Sequence, residues 1–336
     1  MPEFGFPPQH RSASMSLLIT SLRERADAVR AQAVTGRFDD VTRELNGNVS
    51  GLMQVEKSLV DLQDYTEAVA LSEARASVTQ SALEQARNIG QSLADTTDLL
   101  TTNGTTRDFE AVSATAREEL GSVVSSLNAQ FAGRPLFSGD DGSAGRAVAD
   151  VATIQTLGVP FLEAQPDATT AYANLVSEFV NPGGTFDTSI YLGGAGDAPQ
   201  TEVGPGERVD YAVKATEDPL RSIMANVVAL GAAFDMTNGI PDNQRRLIAE
   251  LASEGLRSDV SNIIGLQSRV GSAEERIANV KARNAASEAS LTIAFNNLAG
   301  VDQVESTLEL TELERQLETA FATTARMSNL SLVNFL

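Results

Sequence analysis

Cysteine and tryptophan are absent from the 336 residues, and histidine occurs once, as His10. Without cysteine there can be no disulfide, no thiolate nucleophile and no cysteine-held metal. A lone histidine rules out a multi-histidine metal site. His10 lies in the proline-rich opening MPEFGFPPQH, where it reads as a solvated tail residue. Aromatic residues make up only 5% of the chain, which is little material for a large ligand pocket. Basic residues are scarce too: 25 Lys+Arg stand against 45 Asp+Glu, a net charge of -20. Such a chain lacks the basic face that nucleic acid or an anionic membrane surface requires. No apolar run approaches the roughly 20 residues that span a bilayer, so membrane insertion is not expected. The opening stretch has no apolar segment behind a basic one, so no cleavable signal peptide is expected either.

What the chain does have is helical periodicity at both ends. Met15, Leu18, Leu22, Ala26, Val29 and Ala33 fall three or four residues apart and mark one stripe of an amphipathic helix. Gly36, in Thr35–Phe38 (TGRF), breaks it. A second helix is expected after Asn46–Asn48, with Leu52, Val55, Leu59, Leu62 and Val69 leading its stripe. TTNGTT, 101–106, reads as a turn in which Asn-Gly supplies positive φ. A third stripe follows: Phe109, Val112, Ala116, Leu120, Val123, Leu127 and Phe131. It predicts a helix reaching Gly133 as its C′ residue, with Pro135 just beyond.

From Ser138 to about Pro219 the composition changes to Gly, Pro, Asp and Thr, with thirteen acidic residues to three basic. RVDYAVK alternates Val209, Tyr211 and Val213 against polar or small residues and predicts a strand, as does TSIYLGG, 188–194. Helix is expected again from Asp218-Pro219. Two ladders then step by sevens: Leu256, Ile263, Val270, Ile277, Asn284, Leu291 and Leu298, and Leu266, Ala273, Val280, Ser287, Ala294, Val301 and Leu308. Their offset of three matches core positions of a heptad. Asn284 is either an exposed interruption or a buried amide that fixes register between helices. The last stretch keeps a sparser stripe at Leu313, Leu317, Phe321, Met327 and Leu330.

The expected fold is therefore mainly α with an inserted α+β domain, the N- and C-terminal segments forming a long antiparallel helical bundle or coiled coil. Five stretches result: an N-terminal segment 1–45, helical core halves 46–137 and 220–304, an inserted β-rich outer domain 138–219, and a C-terminal segment 305–336. Contiguous helices of about 40 residues would be near 60 Å long and too thin to bury a core alone. No catalytic, cofactor or metal residues emerge. Gly193–Glu207 lacks the Gly-Lys-Ser/Thr ending of a phosphate loop, and Asp140-Asp141-Gly142 lacks the spaced ligands of a calcium loop.

The stretch GRPLFSG, with Gly133, Leu136, Phe137, Ser138 and Gly139, resembles a Gly-x-Tyr-x-Phe-Ser-Gly crossing motif, Pro135 standing in for tyrosine. Together with TGRFDDV, GPGERVDYAV, the C-terminal heptads and the ending MSNLSLVNFL, it makes the chain similar to the flagellin and hook-associated superfamily of bacterial flagellar axial proteins. Within that superfamily it is most like the hook-filament junction (FlgL-type) proteins. The ending matches the family's Ser-Leu-Leu-x-x-Leu at Ser331, Leu332, Val333 and Leu336. The resemblance implies a structural, non-enzymatic component joining hook to filament, with a flagellin-like filament subunit as the alternative. A coiled-coil scaffold or sensor module is the alternative of another class. The resemblance further implies terminal helices that are disordered in the free subunit and form an inner tube on assembly. Their interface residues would be Met15, Leu18, Leu22, Val29, Leu313, Leu317, Phe321, Met327, Leu330, Leu332 and Leu336. It implies as partners copies of itself, another hook-associated protein, flagellin and an export chaperone. The implied location is the extracellular flagellum, reached by the flagellar type III route.

Overall fold

The computed structural model describes residues 8–44, 49–165, 167–197, 200–236 and 240–333, without the side chains of 8–13, 102–103 and 327–333. Among the described residues the fold is mainly α, with two small antiparallel hairpins. The chain divides into a terminal unit, Met1–Gln63 with Asn284–Leu336, and a central unit, Asp64–Arg283. Two long helices, α3 (Ser50–Asn103) and α8 (Asp242–Ala299), contribute residues to both.

In the central unit, α4 (Thr106–Leu127) follows α3 after a short turn. The Asp108 carboxylate accepts hydrogen bonds from the Thr105 backbone N–H at 2.8 Å and its hydroxyl at 2.7 Å, closing the N-terminus of α4. Those bonds hold the Asp108 carboxyl below the usual carboxylate range. The turn falls within 101–106 but narrows to Gly104 and Thr105, since α3 runs on to Asn103, and Gly104 does not use positive φ. Phe109, Val112, Ala116, Leu120, Val123 and Leu127 are all buried.

The helix ends at Leu127, earlier than its stripe predicts. Asn128 takes over: its Oδ1 accepts from the Ala147 and Val148 amides, both at 2.9 Å, and its Nδ2 donates to the Val148 carbonyl at 3.0 Å. The chain then forms a hairpin, β1 (Gln130–Phe131) with β2 (Arg134–Pro135). Ala132 and Gly133, with φ of 49° and 77°, make its two-residue turn. Gly133 is thus a hairpin glycine and not a helix C′ residue.

The segment 138–219 is richer in helix than in strand, which corrects the β-rich expectation. It holds α5 (Val151–Glu163), α6 (Ala168–Val180), a π-helical turn (Phe186–Ile190) and one hairpin, β3 (Thr201–Gly204) with β4 (Glu207–Val209). Asp150 and Asp167 cap α5 and α6 by accepting N–H bonds of 2.9 Å from Thr153 and Thr170. RVDYAVK is a strand only as far as Val209. Beyond it Tyr211 and Val213 are held by side-chain packing, with Tyr211 3.2 Å from the Thr201 hydroxyl. TSIYLGG is not a strand: Phe186 and Ile190 are buried one helical turn apart, and only Tyr191 makes a β-bridge, to Val148.

Next, α7 (Asp218–Ala232) crosses the centre of this unit and is buried almost throughout from Leu220 to Ala232. It packs on α4, α5 and α6. Helix α8 lies antiparallel to α3 here. Ser253 donates to the Ala94 carbonyl, Arg257 pairs with Asp98, and Lys281 pairs with Glu73 at 2.7 Å. The α8 heptad positions of this unit, Leu256, Ile263, Leu266, Val270, Ala273, Ile277 and Val280, are all buried.

Candidate assembly surface

The terminal unit is built on α1 (Pro8–Thr35) and α9 (Gln303–Val333), which lie against each other antiparallel. As the numbers fall along α1 they rise along α9. Gly36 faces Gln303, Ala26 and Val29 cluster with Leu313, and the Arg23 guanidinium lies 5.0 Å from the Phe321 ring centre. Leu22, Leu310 and Leu317 pack half-buried around that small cluster. The ion pairs Arg25–Glu309 at 2.6 Å and Arg30–Glu314 at 3.1 Å flank the seam in exposed positions, so each contributes little. Glu312 is held to about 2 by hydrogen bonds from Arg315 and Gln316 on its own helix. Thr307, Thr311, Thr319, Thr323 and Thr324 turn their hydroxyls onto carbonyls one turn back, which removes those donors from the surface of α9.

Both chain connections to this helix pair break at one level. Gly36 has a φ of 69°, where a glycine is favoured. The Phe38 N–H donates to the Ala299 carbonyl and the Val301 N–H to the Gly36 carbonyl, both at 3.0 Å, around the bridge between Arg37 and Gly300. A second small cluster supports this joint: Leu52, Phe295 and Ala299, with Val41, Val55, Leu59 and Leu298 half-buried, and Arg37 over the Phe295 ring at 4.7 Å.

Of the expected interface residues, Val29 and Leu313 are buried, while Met15, Leu22 and Leu317 are half-buried. Leu18 and Phe321 stay 49% and 43% exposed. Met327, Leu330 and Leu332 fall on α9 beyond its described side chains, and Leu336 lies outside the described residues. The heptad expectation weakens in this unit. Asn284 is buried, so it is no exposed interruption, but Ser287 is exposed and Leu291, Ala294 and Leu298 are half-buried. Phe295 and Ala299 take over the buried face, α8 ends at Ala299, and Leu308 belongs to α9, 68% exposed.

The stripes also pass over a second set. Leu17, Val34, Met53, Val60, Ile293 and Val304 are large apolar side chains exposed on the terminal unit. Their signal in the sequence is an apolar residue off the stripe in an otherwise polar helix.

The GRPLFSG motif lies in the central unit. Leu136, Phe137 and Ser138 are buried. The Phe137 carbonyl accepts from the Ala215 N–H at 3.0 Å and the Ser138 carbonyl from Gly194 at 2.8 Å, while the Ser138 hydroxyl donates to the Asp141 carbonyl. Gly139 has a φ of 65°, and a Cβ there would stand 2.5 Å from the Gly196 carbonyl oxygen. The motif fastens three chain segments together and presents no reactive group.

A groove of about 520 Å³ in the central unit runs between α3 and α4 and is lined by Ser, Thr, Asn, Gln and two Glu over Ile89, Leu93 and Val112. Among the described residues no three His, Asp or Glu side chains gather to hold a metal ion. Among them, too, no helix is long and apolar enough to cross a membrane.

No protein-family model matches the sequence, and no curated protein matches it. A solved structure does: a protein of Vibrio parahaemolyticus described as flagellar hook-associated, at a TM-score of 0.52 and 15% identity, over 77% of this chain and 98% of that one. At that identity the likeness concerns the fold alone.

Proposed function

We propose that this chain is a structural, non-enzymatic subunit of the bacterial flagellar axis, placed at the junction of hook and filament. It would assemble through α1 and α9 onto copies of itself and onto neighbouring axial proteins. The observation that carries this reading is where the apolar surface lies. Leu17, Leu18, Val34, Val304, Leu308 and Phe321 are exposed on a helix pair whose cluster, among the described side chains, centres on Ala26, Val29 and Leu313, with Ala320 buried further along α9. Helices with so little mutual burial gain much of their order from further packing. Stacking subunits along an axis would cover those side chains by a contact that does not close on itself. The fold likeness to a flagellar hook-associated protein supports the place of assembly, and the resemblance of GRPLFSG supports the junction role. Export by the flagellar route, in the company of a chaperone, belongs to the same proposal.

Deleting the gene in its own bacterium tests it. The expected outcome is cells that carry hooks but release unpolymerised flagellin into the medium. Normal filaments on such cells would overturn the junction role. Cells without hooks would move the chain to an earlier place in the axis.

A further inference from the structure

Asp259 of α8 carries a carboxyl group inside the central unit, with 3% of the residue exposed. Its Oδ2 accepts a 2.6 Å hydrogen bond from Asn226 Nδ2 on α7, and the Ser222 side chain supplies another. Asn226, 1% exposed, accepts at Oδ1 a 2.7 Å bond from the Tyr172 hydroxyl on α6. A hydroxyl, an amide and a carboxyl thus link three helices in one chain. Gly255, one turn before Asp259, makes the room. A Cβ there would stand 2.5 Å from the Tyr172 hydroxyl and 2.6 Å from both polar atoms of the Asn226 amide.

Among the described residues, the groups around Asp259 offer it no counter-charge. Helix α6 presents the Tyr172 phenol, and α7 presents Ser222 and Asn226. Arg221 of α7 is turned to Asp187 and to the Val180 and Thr216 carbonyls. On α8 itself Glu254 adds a negative charge near Tyr172, and Arg257 is engaged by Asp98 of α3. An ionised carboxylate in this position loses its water and gains no cation. Burial accordingly pushes Asp259 up to about 7, against the smaller opposing effect of its bonds from Ser222 and Asn226. Burial also pushes the Tyr172 phenol up to about 12, with help from Asp259 and Glu254, so it remains a donor throughout the neutral range.

We propose that the chain Tyr172–Asn226–Asp259 is a proton-operated latch: the folded subunit takes up a proton at Asp259, and losing it leaves an unpaired charge between the helices that loosens α6 from α7 and α8, although the Asn226 bond to the carboxylate remains. The inference does not depend on the flagellar assignment. Its sign follows from linkage. A carboxyl whose folded value is raised binds its proton more tightly folded than unfolded, so stability is greatest at low pH and falls as pH rises towards the folded value. The other shifted Asp and Glu carboxyls are all lowered, so they titrate below this window.

Urea unfolding of the full chain between pH 5 and 8.5, with amide exchange read over 168–180, tests the latch. The unfolding constant should rise about tenfold per pH unit from 5 towards 7 and level off above. Exchange in α6 should accelerate over the same range. Asp259→Asn should flatten the profile, whereas Tyr172→Phe should speed α6 exchange already at pH 6 and keep the slope. An unchanged slope in Asp259→Asn, or a flat wild-type profile, would overturn the proposal. Should Asp259→Asn fail to fold, calorimetric refolding of the wild type at pH 6 in two buffers of different ionisation heat decides. Uptake of about one proton supports the latch and uptake of none removes it.

Discussion

Helix α7 in the central unit and α1 in the terminal unit show two uses of a helix in one chain. The first is enclosed from Leu220 to Ala232 by α4, α5 and α6. The second buries Ala26 and Val29 and leaves Leu17, Leu18 and Val34 in solvent. The contrast extends to the units. Of the thirteen large apolar side chains exposed among the described residues, nine belong to the terminal unit, which is the smaller of the two. The central unit buries Phe109, Phe137, Phe179 and Phe186 completely, and its core is one continuous cluster. Apolar area removed from water is the main favourable contribution to folding. The central unit therefore holds most of the buried apolar area of the chain, and the terminal unit leaves apolar surface in solvent, which the proposed assembly would cover.

The largest expected effect lies at the centre of that contrast. Phe137→Ala removes a fully buried ring from the crossing motif and leaves a cavity, which costs about 3–5 kcal/mol. Urea unfolding of the monomer should show this as a large fall in midpoint at nearly unchanged slope. A midpoint that hardly moved would mean that the central unit does not carry the stability assigned to it. Gly139→Ala comes next. Its φ of 65° and the Gly196 carbonyl beside the new Cβ both oppose a side chain, for a loss of about 1–3 kcal/mol. The same change at Gly133, at a φ of 77° with open space around it, carries only the backbone part and should be milder. Equal losses at the two glycines would show that the crossing is not packed as tightly as its neighbours indicate.

These positions also show what the sequence can and cannot reveal. The stripes of α4 and the heptad positions from Leu256 to Val280 are legible, because one partner surface lies along each of them and periodicity records it. Phe131 misleads, because it continues the α4 stripe at the right spacing although the chain has already turned into a hairpin. The decisive features there are Asn128, whose amide clamps the distant Ala147 and Val148, and a positive φ at Ala132, which no local pattern signals. Ile190 and Tyr191 look like strand residues by composition, yet Ile190 stands four residues after Phe186, a helical spacing. The Tyr172–Asn226–Asp259 chain is invisible in one dimension, since its members lie 54 and 33 residues apart. On the candidate surface, periodicity finds the seam between α1 and α9 but not the outward face. A stripe marks where a helix meets its first partner, and Leu17, Val34 and Val304 belong to no stripe.

The smallest effect on the monomer is the most informative about that outward face. Leu308 is 68% exposed on α9. Leu308→Ser removes no buried contact, so the monomer should stay within about 0.5 kcal/mol of wild type. In an assembly that buries Leu308, the same change would forfeit about 1.5–3 kcal/mol in each subunit contact, a ten- to hundredfold weakening. The variant should therefore unfold like the wild type in urea and yet fail to restore filaments to cells lacking the gene. Val29→Ala offers the opposite pattern, since Val29 lies in the seam itself: it should loosen the α1–α9 pair in the isolated subunit, seen as faster amide exchange along α1. If Leu308→Ser restored filaments fully while Val29→Ala did not, the seam alone would account for the terminal unit. The exposed apolar face would then have no part in assembly, and the division between a self-sufficient centre and an unsatisfied end would have to be redrawn.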